Sequence, residues 1–197
     1  IIWIGPELES FLSRPLGNLS AAKQLALMNL PNLAWPHTDN HDDHDHQQDP
    51  HLWLNPQNMA VVAQAISQQL GLLDKNNQDI YQRNTQEFIA RLNQLDDEIK
   101  QKMLPLRDKG FAVYHQAYGH YVDHYGLKQL GFLTLTPERK SGAKHLAALY
   151  KSLARDGQCI FAEPLMDKKK IEQLAKEHQL HLGYLDIMGI DANNYSQ

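Results

Sequence analysis

The chain has one cysteine in 197 residues, Cys159, so no disulfide can form within it. That thiol lies in the apolar run Cys159-Ile160-Phe161-Ala162 and reads as packed rather than reactive. Basic runs are as scarce: none exceeds Lys168 to Lys170, and the net charge is −4 with histidine neutral. A nucleic-acid partner, which wants a concentrated basic face, is thereby disfavoured. No apolar run approaches the roughly 20 residues that span a bilayer. The opening Ile1-Ile2-Trp3-Ile4-Gly5-Pro6 has no initiator Met and no basic segment ahead of it. A strand-like run ending in a breaker pair at the start reads as the interior of a longer protein, with any signal peptide outside this sequence. The 42% hydrophobic content is enough for a globular core, in one large domain or two small ones.

What is abundant is histidine, and much of it is in one place. From His37 to Asp49 the sequence HTDNHDDHDHQQD carries four histidines and five aspartates and no apolar residue. A solvated acidic linker would have the same low apolar content, but a spacer needs no histidine. A purification tag would be an uninterrupted run, not one interleaved with Asp inside a chain. Imidazole and carboxylate suit zinc and its first-row neighbours, so His37, His41, His44 and His46 read as a loop that gathers metal without a fixed geometry.

The rest of the chain alternates helix and strand signals. Pro6 to Leu16 predicts a short helix ended near Gly17. After the loop, His51-Leu52-Trp53-Leu54 leads into Asn55-Pro56, with Asn as N-cap and Pro at the first helical position, and the helix runs to about Gly71. A longer helix spans about Lys75 to Leu104, with Tyr81, Phe88, Leu92, Leu95, Ile99 and Met103 at helical steps. At 1.5 Å per residue it is roughly 45 Å long, suited to a strut between two lobes. This divides the chain into 1–74, 75–104 and 105–197. Beyond Pro105, strands are expected at 111–114, 130–135, 160–162 and 181–185, with helices at 118–125, 141–155 (Ser141 as N-cap) and 167–178. That alternation predicts an α/β fold with a mostly parallel sheet covered on both faces.

Ligands bind outside the carboxyl ends of such strands, and those ends carry His115, Thr136, Glu163 and Asp186. A single histidine after a strand is as readily a hydrogen-bonded core residue as a metal ligand; company at the same edge favours the ligand reading for His115. Glu163 could cap the following helix, pair with a lysine of 168–170, or support a ligand from behind. Asp186 has no adjacent cation in sequence and is the better carboxylate ligand. His51 could instead satisfy a loop carbonyl. His120 and His124, four apart, could clamp zinc, but HYVDH lacks the glutamate of HExxH, so the pair is read as a wetted helix face. His145, His178 and His181 are read as structural.

In order along the chain, Gly5-Pro6-Glu7-Leu8-Glu9, the His/Asp loop, His51-Leu52-Trp53-Leu54-Asn55-Pro56, the long helix, Tyr114-His115-Gln116-Ala117-Tyr118-Gly119, Phe161-Ala162-Glu163-Pro164 and Leu185-Asp186 resemble the zinc-specific periplasmic substrate-binding protein of bacterial ABC uptake systems. Thr136-Pro137-Glu138 with Ser141-Gly142-Ala143 also looks like that family's turn ahead of a helix. The resemblance implies two α/β lobes joined by one long rigid helix, zinc (Zn2+) as ligand, and no enzymatic activity. It further implies a periplasmic location and a membrane permease of an ABC importer as partner. His51, His115 and Asp186 become the implied metal residues, Glu163 a supporting one, and a further histidine ligand is implied upstream of the opening strand. Histidine donors favour zinc over magnesium and calcium, and binding that needs neutral imidazole should weaken as pH drops through about 6.5. Two rivals stand beside this reading. One is a manganese- or iron-binding relative or metal-binding adhesin on the same frame, where an acidic residue tends to replace His115. The other is a zinc metallohydrolase, in which Glu163 would have to serve as the base.

Overall fold

The computed structural model describes residues 1–19, 24–37, 48–135, 141–164, 166, 168–190, 192 and 195. Contacts divide the chain into two compact units, Ile1–Ile99 and Lys100–Gln197.

In the first unit, two short parallel strands, β1 (Ile2–Trp3) and β2 (Leu25–Ala26), pair through Ile2 with Leu25 and Trp3 with Ala26. The short helix expected from Pro6 is a 3-10 turn at Ser10–Leu12 running into α1, Ser13–Gly17. Helix α2, Pro56–Leu73, starts where the sequence says it should: the Asn55 side chain accepts the Gln57 N–H at 2.9 Å, and Pro56 needs no partner for a missing donor. One turn further on, the buried Asn58 clamps the chain leading to the His/Asp loop. Its Oδ1 accepts the Ala34 N–H at 2.8 Å and its Nδ2 donates to the Ala34 carbonyl at 3.0 Å. Leu27, Met28, Leu33, Leu52 and Val62 form the core beneath. The segment before α2, Leu52–Leu54, is a 3-10 turn.

Helix α3, Gln78–Met103, is 26 residues long and is continued at both ends by 3-10 turns, Lys75–Asn77 and Leu104–Leu106. At 1.5 Å per residue the α-helical part measures about 39 Å. It buries Leu92 and, unusually for a helix otherwise wet, Asp96, whose Oδ2 receives Gln57 Nε2 at 3.0 Å.

The second unit is a four-stranded parallel sheet in the order β4-β3-β5-β6, made of β3 (Gly110–His115), β4 (Gln129–Thr134), β5 (Gly157–Ala162) and β6 (His181–Tyr184). Three helices connect them: α4 (Gly119–Tyr125), α5 (Ala143–Asp156) and α6 (Lys168–Glu177). Leu149 and Leu153 of α5 and Ile171, Leu174 and Ala175 of α6 close over Ala112, Leu133, Ile160 and Ala162 of the strands. α5 is capped by Gly142, with no side-chain cap bond, and not by Ser141 as the sequence suggested. α4 ends at Gly126, whose φ of 64° is the left-handed conformation a helix C-terminus favours. The order places the topological switch at β3: the chain goes to β4 on one side, then returns to β5 on the other. In an open parallel sheet the crevice forms at the carboxyl ends beside that point.

Candidate metal centre

His115 is the last residue of β3, the central strand, and Glu163 follows directly on β5, its neighbour. The switch point therefore brings the two together: His115 Nδ1 and Glu163 Oε1 lie 2.5 Å apart, with side chains only 7% and 6% exposed. A carboxylate at Nδ1 selects the tautomer with the proton there and the lone pair on Nε2, the arrangement found behind most metal-binding histidines. Of the roles open to it in the sequence, the one Glu163 takes among the described residues is support of an imidazole.

Tyr118, just after β3, packs its ring 6.5 Å from that of His115. Its hydroxyl is buried and faces Glu163 without closing a well-formed hydrogen bond. Burial first, then the charges of Glu163 and Asp186, push this phenol far above its ordinary 10.0. Asp186 lies two residues past β6 at the same sheet edge, exposed, where its Oδ1 accepts the Met188 N–H at 3.2 Å in a tight turn. Of His115, Glu163 and Asp186, the first two are thus in contact, and Asp186 follows the carboxyl end of a strand of the same sheet.

In the first unit His51 sits at the mouth of the 3-10 turn before α2. Asp49 Oδ1 holds it twice, accepting the backbone N–H at 3.0 Å and lying 2.6 Å from ring Nδ1. The ring also packs edge-on to Trp53, centroids 5.2 Å apart. In the sequence Asp49 reads only as one of the aspartates of the loop. The signal that could have found it is local: in Asp49-Pro50-His51 an Asx turn returns the carboxylate to the residue two positions on.

Among the described residues, no three His, Cys, Asp or Glu side chains converge at metal-holding geometry. What the structure displays is two histidines, each with Nδ1 on a carboxylate. His37 is described and exposed, whereas His41, His44 and His46 lie outside the described residues, as does the 136–138 turn.

The remaining histidines divide. His120 is 1% exposed, so it belongs to the packed interior of α4 and not to a wetted face; four residues on, His124 lies against the Tyr125 ring at 4.6 Å. His145 Nε2 bonds the Phe132 carbonyl at 2.9 Å, and His178 lies against Tyr150 at 5.5 Å.

The periplasmic zinc-uptake complex component A family, ZnuA, matches the chain over residues 1–197. The chain belongs to this family. Among curated relatives, the high-affinity zinc uptake system protein ZnuA of Yersinia pestis is 33% identical over 223 residues, covering 99% of this chain and 70% of that protein. The Haemophilus ducreyi protein of the same name is 31% identical over 213 residues, covering 96% and 68%. Among solved structures, a Zn(II)-bound variant of AdcAII from Streptococcus pneumoniae superposes with a TM-score of 0.79 at 25% identity, covering 98% of this chain and 72% of that one. The laminin-binding protein Lmb of Streptococcus agalactiae, described as having adhesin and metal-transporting activity, gives 0.81 at 25% identity, covering 99% and 73%. The ZnuA assignment makes the chain a zinc-binding receptor of an uptake system, with zinc as cargo, in a family of periplasmic transport components rather than enzymes. The fold expected from the sequence, α/β with parallel sheets and one long helix, agrees.

Proposed function

We propose that this ZnuA-family chain captures Zn2+ in the periplasm through His51, His115 and Asp186, and delivers it to the membrane permease of an ABC importer without catalysing a reaction. The observation that carries the reading is the buried His115–Glu163 pair at the sheet's switch point. A structural histidine would be served equally well by a backbone carbonyl, as His145 is by Phe132; a carboxylate behind Nδ1 is what orients an imidazole towards a cation. His51 and Asp49 repeat the arrangement at 2.6 Å. Asp186 adds an exposed oxygen donor at the same edge as His115. Imidazole nitrogen with carboxylate oxygen suits zinc better than magnesium or calcium, which take oxygen ligands.

Glu163 acts as the orienting carboxylate in this reading. Its proximity to an imidazole speaks against the metallohydrolase alternative, which needs that carboxylate as a base on water. A histidine at 115 likewise favours zinc over the manganese- and iron-binding relatives. His37, His41, His44 and His46 gather zinc as an accessory store.

The test is a competitive zinc titration of the chain and its His51→Ala, His115→Ala and Asp186→Ala variants, each checked for folding by circular dichroism. Each histidine variant is expected to weaken the tightest site at least tenfold. Undiminished affinity in both would overturn the assignment.

A further inference from the structure

We infer that Asp49 is a positioning residue for zinc capture, fixing the His51 ring in one tautomer and one rotation so that Nε2 is the presented donor. This rests on the reading of His51 as a zinc ligand. One carboxylate oxygen, Oδ1, reaches both the backbone N–H of His51 at 3.0 Å and its ring Nδ1 at 2.6 Å. The two bonds share one acceptor, so the side chain is indexed to its own backbone. Pro50 between them removes a rotatable φ. On its other side the ring meets Trp53 edge-on at 5.2 Å, and the 3-10 turn at Leu52–Leu54 sets where Trp53 stands. The ring is thus held from two sides, with side chains of His51 and Asp49 14% and 17% exposed.

Downstream, Asn55 ties this turn to α2 through its bond to Gln57, and Leu52, 1% exposed, plants it in the core. Asp49 is therefore the last link in a chain of local contacts running from a helix N-terminus back to one imidazole. A bare histidine on a loop would sample two tautomers and several rotamers, and only a fraction would present a usable lone pair. Removing that fraction as a cost on binding is what a preorganised ligand gains. The carboxylate also raises the donor strength of Nε2.

The experiment uses Asp49→Asn, Asp49→Ala and Asp49→Glu beside His51→Ala. Long-range 1H–15N spectra of the metal-free protein, taken well above the imidazole titration range, report the His51 tautomer without any reference to zinc. The unaltered chain should show a single tautomer protonated at Nδ1, and Asp49→Ala a mixture. Competitive titration should show zinc affinity roughly 10–100-fold weaker in Asp49→Asn and Asp49→Ala, with partial recovery in Asp49→Glu. If His51 keeps one Nδ1–H tautomer in Asp49→Ala, the inference is overturned. If His51→Ala weakens zinc binding while Asp49→Asn and Asp49→Ala do not, it is overturned as well, with the ligand reading intact. If the tautomer responds to Asp49 but His51→Ala leaves zinc affinity unchanged, the ligand reading fails, and Asp49's role in zinc capture with it.

Discussion

Glu163 Oε1 and His115 Nδ1 meet at 2.5 Å from neighbouring parallel strands, buried together at the one place where the sheet's order reverses. Replacing the carboxylate by an amide keeps the shape but lets the imidazole choose its tautomer. Glu163→Gln is therefore expected to weaken zinc binding by roughly 10–100-fold while the circular dichroism spectrum stays unchanged. Competitive titration against a chromophoric chelator measures this. Full affinity in the amide variant would mean that His115 needs no orienting carboxylate.

Removing residues 38–47, which leaves Asp49 and Ala34 with their contacts, separates store from site. Total zinc bound per chain should fall while the tightest dissociation constant stays within a few-fold. Loss of the tight site on this deletion alone would place it in the loop.

The phenol of Tyr118 ties stability to alkaline pH. Its folded-state value is raised, chiefly by burial and then by Glu163 and Asp186. The neutral form is thus the one the fold favours. Its contribution is whole below the ordinary 10.0 and is withdrawn as pH rises above it. Thermal melts should show Tm falling steeply above that pH, and less steeply in Tyr118→Phe. Tyr121, raised by burial alone, leaves a residual slope in that variant. Equal slopes in the two proteins would remove Tyr118 as the cause.

Gly110 starts β3 where that strand shifts register against β5. A Cβ there would lie 2.3 Å from the Asp156 carbonyl oxygen, and backbone cannot swing aside as a long side chain can. Gly110→Ala should cost about 1–3 kcal/mol or more by denaturant titration, and should loosen His115 at the far end of the same strand.

How much of this was legible beforehand follows physical lines. The four strands of the second unit lie within three residues of the expected bounds at each end, because each is a short run centred on apolar residues between helical segments. Asn55-Pro56 announced α2 because capping is local chemistry. The edge shared by His115, Glu163 and Asp186 followed from topology, since parallel strands end on one side. Burial of polar residues was less accessible. His120 reads as a surface residue along the helix, yet it is buried in the folded chain. Ser141 looked like a cap, but the backbone begins α5 one residue later, at Gly142. The bond between His115 and Glu163, 48 residues apart, needed the sheet order. Asp49 to His51 needed only two residues, and was obscured by the aspartates around it.

The anchoring of His115 bears on which ions can be accommodated. It closes a strand bonded on both flanks, so its nitrogen cannot travel to follow a cation of different radius. Asp186 stands instead on an exposed turn past an edge strand, its Oδ1 accepting the Met188 N–H. In the proposed site, size discrimination then resides at the nitrogen, and any adjustment of coordination number falls to the carboxylate oxygens.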